Sequence, residues 1–273
     1  MKLADTPIVL SIAGSDPSAG AGIQQDLKTI CALGGYGATA ITALTSQNTL
    51  GVQAVMDVPE DTVRTQILSV FDDLDVRSVK IGMVPNVRVA AVICDILREQ
   101  QARCMGRAMD IVYDSVMIST SGRRLMAEDA MKFITQHLFP LCTLVTPNLP
   151  EAACLWGNNL RTSEDICLAG NTLVQQFRTN FLIKGGHAED SPVLCDRLFM
   201  TDGTNTAFSM PRIKTSNLHG TGCTLSSAIA TLLAQGFTME KAVEKAQQFV
   251  AQCIRMGKDH HIGHGNGPLK CGW

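Results

Sequence analysis

The fold is decided by residues 8–22, which have the sequence IVLSIAGSDPSAGAG. The compact apolar run over residues 8–13 predicts a buried strand that ends at Gly14. A glycine-rich turn then leads into apolar residues at helical spacing over residues 23–33, which predict a helix. A buried strand, a polar glycine loop and a helix in this order are typical of the first unit of a parallel α/β sheet.

The same alternation of strands and helices continues along the chain. Helical spacing predicts helices over residues 61–71, 87–97 and 224–235, and a last helix capped by Thr238. Compact apolar runs predict further strands at residues 38–44, 78–82, 110–114, 144–146 and 181–183. This rhythm predicts βαβ units and an α/β fold with a mostly parallel sheet, in one domain over residues 1–273.

The composition excludes several classes of protein. Of the 273 residues, 45% are hydrophobic and 18% are charged, and this apolar content excludes a disordered chain. The 23 basic and 25 acidic residues give a formal charge of -2, which argues against a nucleic-acid partner. No apolar run is long enough to span a membrane, and the N-terminus lacks the long apolar run of a secretory signal. We therefore expect a cytoplasmic protein without membrane contact.

The cysteines and histidines do not form a metal motif. Ten cysteines are scattered through the chain, and no two have the C-x-x-C spacing of a structural zinc site. We expect reduced thiols that, apart from Cys223, are mostly buried as small hydrophobic side chains. The histidine-rich run at residues 260–265 contains glycines that break a metal-binding helix, so we expect a loop near the site.

The loops after the strands are the candidates for chemistry, because open parallel sheets bind ligands beyond the carboxyl ends of their strands. The loop at residues 14–22 matches neither G-x-x-x-x-G-K-[ST] nor G-x-G-x-x-G, because Gln25 stands where the third glycine would be. A glycine-lined polar loop can still bring backbone amides close to a small ligand. An ordinary tight turn with a helix cap would explain one or two of these glycines.

A second glycine loop, His219-Gly220-Thr221-Gly222-Cys223-Thr224, comes directly before a predicted helix. Successive backbone amides at a helix N-terminus form a pocket that suits phosphate oxygens. The same field favours the thiolate of Cys223, which makes this residue a candidate base or nucleophile. The alternative is an inert buried cysteine beside a glycine turn.

Oxygen ligands and a basic residue follow the later strands. Asn148 and Glu151 offer hard oxygen ligands that suit Mg²⁺ or its waters, and Asp114 adds a carboxylate on the same edge of the sheet. Lys184, followed by Gly185, offers a positive charge for a phosphate. Each of these residues alone could instead be part of a helix cap or a solvated turn.

Several short motifs of the chain occur together in one known family. They are Gly14-Ser15-Asp16-Pro17-Ser18, Gly20-Ala21-Gly22-Ile23-Gln24, Asp26-Leu27-Lys28-Thr29, Ile41-Thr42-Ala43-Leu44, Gln47-Asn48-Thr49, Lys80-Ile81-Gly82-Met83, residues 146–152, residues 184–187 and Gly220-Thr221-Gly222-Cys223-Thr224. Jointly they resemble the hydroxymethylpyrimidine/phosphomethylpyrimidine kinases. The resemblance extends from near Ile8 to near Gly267, which is almost the whole chain.

The resemblance implies a fold and a reaction. The fold is ribokinase-like, a single-domain three-layer α/β/α sandwich with a mostly parallel central sheet. In the reaction, ATP with Mg²⁺ phosphorylates the hydroxymethyl group of 4-amino-5-hydroxymethyl-2-methylpyrimidine. The monophosphate is then phosphorylated again to the diphosphate, as part of thiamine biosynthesis. The resemblance also implies a homodimer.

The resemblance further implies roles for single residues. The Gln47 amide would recognise the aminopyrimidine edge, because an amide can both donate and accept hydrogen bonds. The residues implied to bind the pyrimidine are Gly14, Asp26, Thr45, Gln47 and Met83. Cys223 would be the base. The residues implied to hold the transferring phosphoryl group and ATP are Gly220, Thr221, Gly222, Asp114, Asn148, Lys184 and Gly185, with Glu151 serving Mg²⁺ directly or through water.

The chain departs from the family pattern in two places. Ser115 stands where proline is usual, and the tail at residues 270–273 differs from the usual histidine-containing ending. The nearest alternative function is a pyridoxal kinase on the same scaffold. Gln47 favours the pyrimidine, because an amide suits the aminopyrimidine whereas pyridoxal kinases tend to have an apolar residue there.

Two alternatives belong to other classes of protein. A thiol hydrolase or transferase would use Cys223 as its nucleophile with His219 or His187 as the base, but it leaves the first loop unexplained. A non-catalytic vitamin sensor would not need Cys223, Lys184 and Asp114 together. The kinase accounts for more of the sequence than either alternative.

Overall fold

Nine strands form one mixed sheet in the computed structural model, which describes residues 6–103, 109–116, 128–185 and 192–272. The strands are β1 (Ile8–Ser15), β2 (Tyr36–Asn48), β3 (Gly51–Asp57), β4 (Val76–Ile81), β5 (Asp110–Tyr113), β6 (Leu144–Val145), β7 (Asn180–Ile183), β8 (Val193–Phe199) and β9 (Asn205–Pro211). Their order across the sheet is β3-β2-β1-β4-β5-β6-β7-β8-β9. The strands from β2 to β7 in this order are parallel, and β3, β8 and β9 pair antiparallel.

Helices cover both faces of the sheet. They are α1 (Gly22–Ala32), α2 (Glu60–Phe71), α3 (Val87–Arg103), α4 (Glu128–His137), α5 (Leu149–Trp156), α6 (Ser163–Phe177), α7 (Thr221–Ala234) and α8 (Met239–Gly257), with a short 3-10 helix at Phe139–Leu141. Helices α1, α7 and α8 pack around one buried apolar cluster, and α2 to α6 pack around another on the opposite face. The predicted three-layer α/β/α sandwich is confirmed. One domain over residues 1–273 stays a prediction.

The central strands are apolar because both of their faces are covered. In β1, Val9 belongs to one cluster and Leu10 to the other, and both are fully buried. The strands and helices predicted from such runs are confirmed, with shifted ends. Strand β2 continues beyond the predicted end at Leu44 to Asn48 and so carries Gln47.

The sequence analysis missed β3, β8, β9, α4, α5 and α6. Two of the three missed strands, β3 and β9, form the edges of the sheet, and β8 lies next to β9. None of the three is a continuous apolar run. In β9 exposed residues alternate with partly buried ones, and β3 is mostly exposed. Such strands lack the signal that identified the central ones.

The strand order opens a crevice at one edge of the sheet. Strand β1 has β2 on one side and β4 on the other, so the order of the strands reverses at this point. Open α/β sheets bind ligands at the carboxyl ends of the strands where the order reverses. The first glycine loop follows β1, Met83 follows β4 and Asp114 follows β5, so the predicted loops lie at this edge.

The burial of the cysteines differs from the expectation. All nine cysteines among the described residues are free thiols. Apart from Cys223, four are buried, Cys31 and Cys154 are exposed, and two more are partly exposed. We expected these eight thiols to be mostly buried, and this is wrong for four of them, because they lie on the outer sides of helices and strands. Cys104 lies outside the described residues.

A buried ion pair lies beneath the crevice. Lys80 in β4 and Asp26 in α1 are both fully buried, and Nζ is 2.8 Å from each carboxylate oxygen. Ser11 donates a hydrogen bond of 2.6 Å to Asp26, and Ser227 donates one of 2.7 Å. Burial alone would lower the pKa of Lys80, but the charge of Asp26 raises it above its ordinary value. Asp26 faces these protein groups and has no exposed surface, whereas the resemblance implied a contact with the pyrimidine.

Replacing one partner of this pair should destabilise the protein strongly. We expect Lys80→Met to lower the free energy of unfolding by about 3–5 kcal/mol, because Asp26 then stays buried without its counter-ion. Urea denaturation at neutral pH measures the change. Lys241→Met is the matched control, since Lys241 pairs with Glu244 at 2.6 Å on the exposed side of α8, where loss of a pair costs at most about 1 kcal/mol. Equal losses in both variants would contradict the prediction.

Candidate active site

The first glycine loop is organised around the buried carboxylate of Asp16. Oδ1 accepts hydrogen bonds from the backbone and the hydroxyl of Ser18 at 2.9 and 2.7 Å. Oδ2 accepts from the backbone amides of Gly20 and Ala21 at 3.2 and 2.9 Å. Two of the amides that we expected to approach a ligand are therefore bound by the loop's own aspartate.

The second glycine loop ends at the N-terminus of α7, as predicted. Gly220 precedes the helix with a φ of 85°, and a Cβ at this position would overlap the carbonyl oxygen of Gly20. The two glycine loops therefore touch, and only glycine permits the contact. The Thr221 N–H donates to the Leu218 carbonyl at 3.2 Å, so this amide is engaged within the turn. The Gly222 N–H belongs to the first turn of α7, where no intrahelical acceptor exists for it.

Cys223 lies where the N-termini of α1 and α7 meet. The N–H of Gly22, the first residue of α1, donates a hydrogen bond to the Cys223 sulfur. Burial raises the pKa of the Cys223 thiol to about 11, although the positive charge of Lys80 lowers it. Burial therefore has a larger effect on the pKa of Cys223 than the field of the helix termini, which we expected to favour the thiolate.

Three elements converge at Gly222. Lys184, which follows β7, donates a hydrogen bond of 2.9 Å from Nζ to Oδ1 of Asp114, which follows β5. A Cβ at Gly222 would lie 3.3 Å from Asp114 Oδ2 and 3.6 Å from Lys184 Nζ. An ion pair between the buried Asp114 and the partly exposed Lys184 thus faces the positive end of the α7 dipole. The structure brings together these three residues, which the sequence predicted to serve phosphate.

The charges of this pair are stabilised by their neighbours. Burial alone would raise the pKa of Asp114, but the charges of Lys184 and Lys80 hold it below its ordinary value. Burial alone would lower the pKa of Lys184, but the charges of Asp114 and Glu151 raise it. Thr146 adds a hydroxyl 3.3 Å from Asp114 Oδ1. Asp114 and Lys184 are therefore both charged at neutral pH.

Asn148 and Glu151 form a capping box at the N-terminus of α5. The Asn148 side chain accepts the Glu151 N–H at 2.9 Å, and the Glu151 carboxylate accepts the Asn148 N–H at 2.9 Å. The alternative role of a helix cap is thus confirmed for both residues. The Ser115 hydroxyl lies 3.4 Å from the same Glu151 carboxylate. Proline, which is usual at this position in the family, has no hydroxyl for this contact.

Gly185 is held by a residue that the sequence analysis missed. Its N–H donates a hydrogen bond of 2.7 Å to Asp196 in β8, and Gln247 in α8 donates another of 2.7 Å to the same carboxylate. A Cβ at Gly185 would overlap the Cys195 carbonyl oxygen, so the loop lies directly on β8. Residues 186 and 187, including the candidate base His187, lie outside the described residues.

Four of the five residues predicted to contact the pyrimidine lie together at the crevice. A Cβ at Gly14 would lie 3.2 Å from the Met83 sulfur. Thr45 and Gln47 are two residues apart on β2, so their side chains point to the same face, and Thr45 Oγ1 lies 3.4 Å from Gln47 Oε1. The Thr45 hydroxyl donates a hydrogen bond of 2.8 Å to the Ser15 carbonyl, which ties β2 to β1.

Sequence reasoning gave no role to Lys80, Asp16, Asp196 or Ser226, whose hydroxyl lies 3.4 Å from Asp114. One signal was available, because a lysine within a buried apolar strand such as residues 76–81 requires a buried partner. Asp196 had no comparable signal, since its strand was itself missed.

The histidines have structural contacts. The His264 N–H donates to Thr49 Oγ1 at 3.2 Å, so the loop at residues 260–265 packs beside the end of β2, as predicted. His219 was the candidate base of the thiol-enzyme alternative, but its Nε2 lies 2.9 Å from Asp16 Oδ2. Within the described residues no three His, Cys, Asp or Glu side chains form a cluster that could hold a metal. The described helices include none that is long and apolar enough to cross a membrane.

Comparisons with known proteins identify the family of this chain. A family model described as phosphomethylpyrimidine kinase matches residues 16–270. A Rhizobium meliloti (strain 1021) protein named hydroxymethylpyrimidine/phosphomethylpyrimidine kinase is 43% identical over 265 residues, which cover 97% of this chain and 96% of that protein.

Two solved structures share the fold. A phosphomethylpyrimidine kinase from Clostridium difficile 630 is 36% identical with a TM-score of 0.79, and the match covers 91% of this chain and 100% of that one. The pyridoxal kinase from Staphylococcus aureus, in complex with AMP-PCP and pyridoxal, is 30% identical with a TM-score of 0.83, and the match covers 98% of this chain and 94% of that one. From the family model and the relative that matches nearly end to end, we conclude that this chain belongs to the phosphomethylpyrimidine kinase family.

Proposed function

We propose that this protein transfers phosphate from ATP to the hydroxymethyl group of 4-amino-5-hydroxymethyl-2-methylpyrimidine and then phosphorylates the monophosphate to the diphosphate, in thiamine biosynthesis. Membership of the family supports this reaction. The observation that carries it is the convergence of Lys184, Asp114 and the α7 N-terminus at Gly222, beside Cys223. Such a site suits a phosphoryl group in transfer.

Phosphoryl transfer depends mostly on positioning and on stabilisation of charge. Lys184 places a positive charge beside Gly222, and the N–H groups of the first turn of α7 add the positive end of a helix dipole. We assign the oxygens of the transferring group to this pocket. Because these groups are held in place before the reaction, little reorganisation is needed when negative charge develops.

Cys223 is the proposed base. Its thiolate removes the proton from the hydroxymethyl oxygen, which forms a bond to the γ-phosphorus while the bond from that phosphorus to the leaving ADP oxygen breaks. The thiolate of a thiol with a pKa of about 11 is a stronger base than an ordinary cysteine thiolate, but it is scarce at neutral pH. The charge of Lys80 beneath it stabilises the thiolate at the moment of transfer.

The residues present fit a magnesium ion. Asp114 and Glu151 are buried carboxylates. Asp114 accepts a hydrogen bond of 2.9 Å from Lys184, and the Glu151 carboxylate lies 3.4 Å from the hydroxyl of Ser115, the residue after Asp114. Hard carboxylate oxygens are the ligands that Mg²⁺ prefers. We assign Asp114 and Glu151 to the ion, directly or through water, with Asn148 beside them. When bound, Mg²⁺ would neutralise charge on the ATP phosphates.

The pyrimidine is assigned to the crevice between β1, β2 and β4. Gly14 leaves room for the ring beside the Met83 side chain, and Gln47 supplies an amide to its polar edge. The reacting hydroxymethyl arm then points from this crevice toward Cys223.

We further propose a cytoplasmic homodimer. The use of ATP as phosphoryl donor and the free thiols of the described residues suit a reducing, ATP-rich compartment. Tyr36, Leu44, Leu50 and Met56, on or beside strands β2 and β3 at one edge of the sheet, expose large apolar side chains. Exposed apolar groups clustered at one edge of the sheet suit contact with a second copy of the chain.

The purified protein should prefer the pyrimidine to pyridoxal. With Mg²⁺ and ATP, we expect a higher kcat/KM for the pyrimidine, and we expect the monophosphate to be consumed as well, both measured as ADP formation. Gln47→Leu should lower the ratio of kcat/KM for the pyrimidine to kcat/KM for pyridoxal by roughly tenfold, because the amide that hydrogen-bonds the polar edge of the pyrimidine is lost. A preference for pyridoxal would contradict the role of Gln47, and activity on neither acceptor would contradict the kinase.

Removal of the proposed base should separate binding from transfer. We expect Cys223→Ala to bind the pyrimidine about as well as the native chain while kcat falls by roughly 10²-fold or more, the usual scale for loss of a general base. The native kcat should rise with pH above neutrality, because the Cys223 pKa is about 11, and the variant should lose this rise. Cys31→Ala, at an exposed thiol, is the control. Unchanged turnover in Cys223→Ala would remove this residue from the mechanism.

The magnesium assignment can be separated from helix capping. Glu151→Gln keeps an oxygen that can accept the Asn148 N–H but removes the charge, so we expect the Mg²⁺ concentration for half-maximal rate to rise roughly tenfold. Asp165→Asn is the control, since Asp165 belongs to the exposed capping box of α6. An unchanged Mg²⁺ requirement in Glu151→Gln would leave Glu151 as a helix cap alone.

A further inference from the structure

His219 connects the first glycine loop to the proposed substrate amide. Its Nε2 lies 2.9 Å from Asp16 Oδ2 and 3.2 Å from Gln47 Nε2. The ring is almost fully buried, and a Cβ at Gly20 would overlap its Cδ2 atom. The His219 N–H donates to the Gly267 carbonyl at 3.1 Å, so the backbone is anchored as well. His219 therefore has one position, with one ring nitrogen facing two polar partners.

The hydrogen on that nitrogen is determined by Asp16. An ionised carboxylate only accepts hydrogen bonds. Burial alone would raise the pKa of Asp16, but the hydrogen bonds from His219 and Ser18 hold it below its ordinary value, so it is ionised at neutral pH. At 2.9 Å, the Nε2 of His219 must carry its hydrogen and donate it to Asp16. Nitrogen in this state has no lone pair with which to accept a hydrogen from Gln47.

Thr45, on the other side of the Gln47 amide, favours the same orientation of that amide. Its single hydroxyl hydrogen is donated to the Ser15 carbonyl at 2.8 Å. Toward Gln47, 3.4 Å away, the Thr45 oxygen therefore offers only lone pairs. Both neighbours favour one orientation of the amide, in which the Gln47 oxygen faces His219 and its nitrogen donates to Thr45. The oxygen and the nitrogen of the Gln47 amide are therefore assigned from their hydrogen-bond partners.

We propose that His219, held by Asp16, is a positioning residue that fixes the order in which the Gln47 amide presents its acceptor and its donor, and that it thereby sets selectivity for the 4-amino group of the substrate. This inference rests on the proposed function, in which Gln47 contacts the pyrimidine. An aminopyrimidine edge has a donor on the amino group beside an acceptor on the ring nitrogen, and it pairs with a fixed amide in one order only. An amide that is free to turn would discriminate less between ligands with and without the 4-amino group.

The test compares two ligands that differ at one group. The Kd of 4-amino-5-hydroxymethyl-2-methylpyrimidine and of its analogue without the 4-amino group is measured by calorimetry. In the native chain we expect the amino compound to bind roughly tenfold tighter or more, and in His219→Ala we expect this ratio to approach one. His219→Gln is the conservative variant, because its amide can donate to Asp16, and we expect it to recover most of the ratio.

If His219 has a purely structural role, His219→Ala would weaken the binding of both ligands equally and leave the ratio of their Kd values unchanged. That result would overturn the proposal. Thr45→Val provides an independent arm should His219→Ala fail to fold. This substitution removes the other partner that orients the Gln47 amide, so the ratio of the two Kd values should fall in this variant as well. An unchanged ratio in a folded Thr45→Val would also overturn the proposal. If the native chain binds neither ligand, the proposed function fails instead.

Discussion

The contact between Lys80 and Asp26 is the interaction on which the active site depends. It joins β4 to α1, and two serine hydroxyls extend it to β1 and α7, so four of the elements that carry the site loops meet at one buried ion pair. An unpaired charge in the interior is costly, so neither partner can be lost alone. The charge of Lys80 also acts on Cys223 and Asp114. The contact that holds the loops together thus also sets the electrostatics of the site.

Close approach of backbones is the second constraint. At Gly220 a side chain would overlap the first glycine loop, and at Gly222 it would crowd the pair of Asp114 and Lys184. The helix termini and the charged side chains can converge only because these positions lack a Cβ. This explains why the glycine loops match no standard phosphate motif. Their glycines serve contact between two loops as much as contact with a ligand.

The central strands and the site edge were predictable because buried parallel strands are continuous apolar runs and their loops must share one edge. Strands β3, β8 and β9 were not predictable in this way, since none of them is a continuous apolar run. Side-chain roles were harder to predict. Asp26 was taken for a substrate contact because a motif does not show that Lys80 faces it from the interior. For Cys223 the sequence indicates the helix terminus that favours the thiolate, but it does not show the burial that raises the pKa of this thiol.

The two halves of the site are built differently. Phosphate is assigned to buried charges and backbone amides, which are fixed by the core and are independent of the acceptor. The acceptor is assigned to partly exposed side chains of β2, whose orientation depends on a few hydrogen bonds from Asp16 through His219. A change of acceptor therefore requires changes in β2 and its supporting network, while the core can stay as it is. A pyridoxal kinase shares this fold at a TM-score of 0.83 with 30% identity, and a shared fold does not by itself determine the substrate.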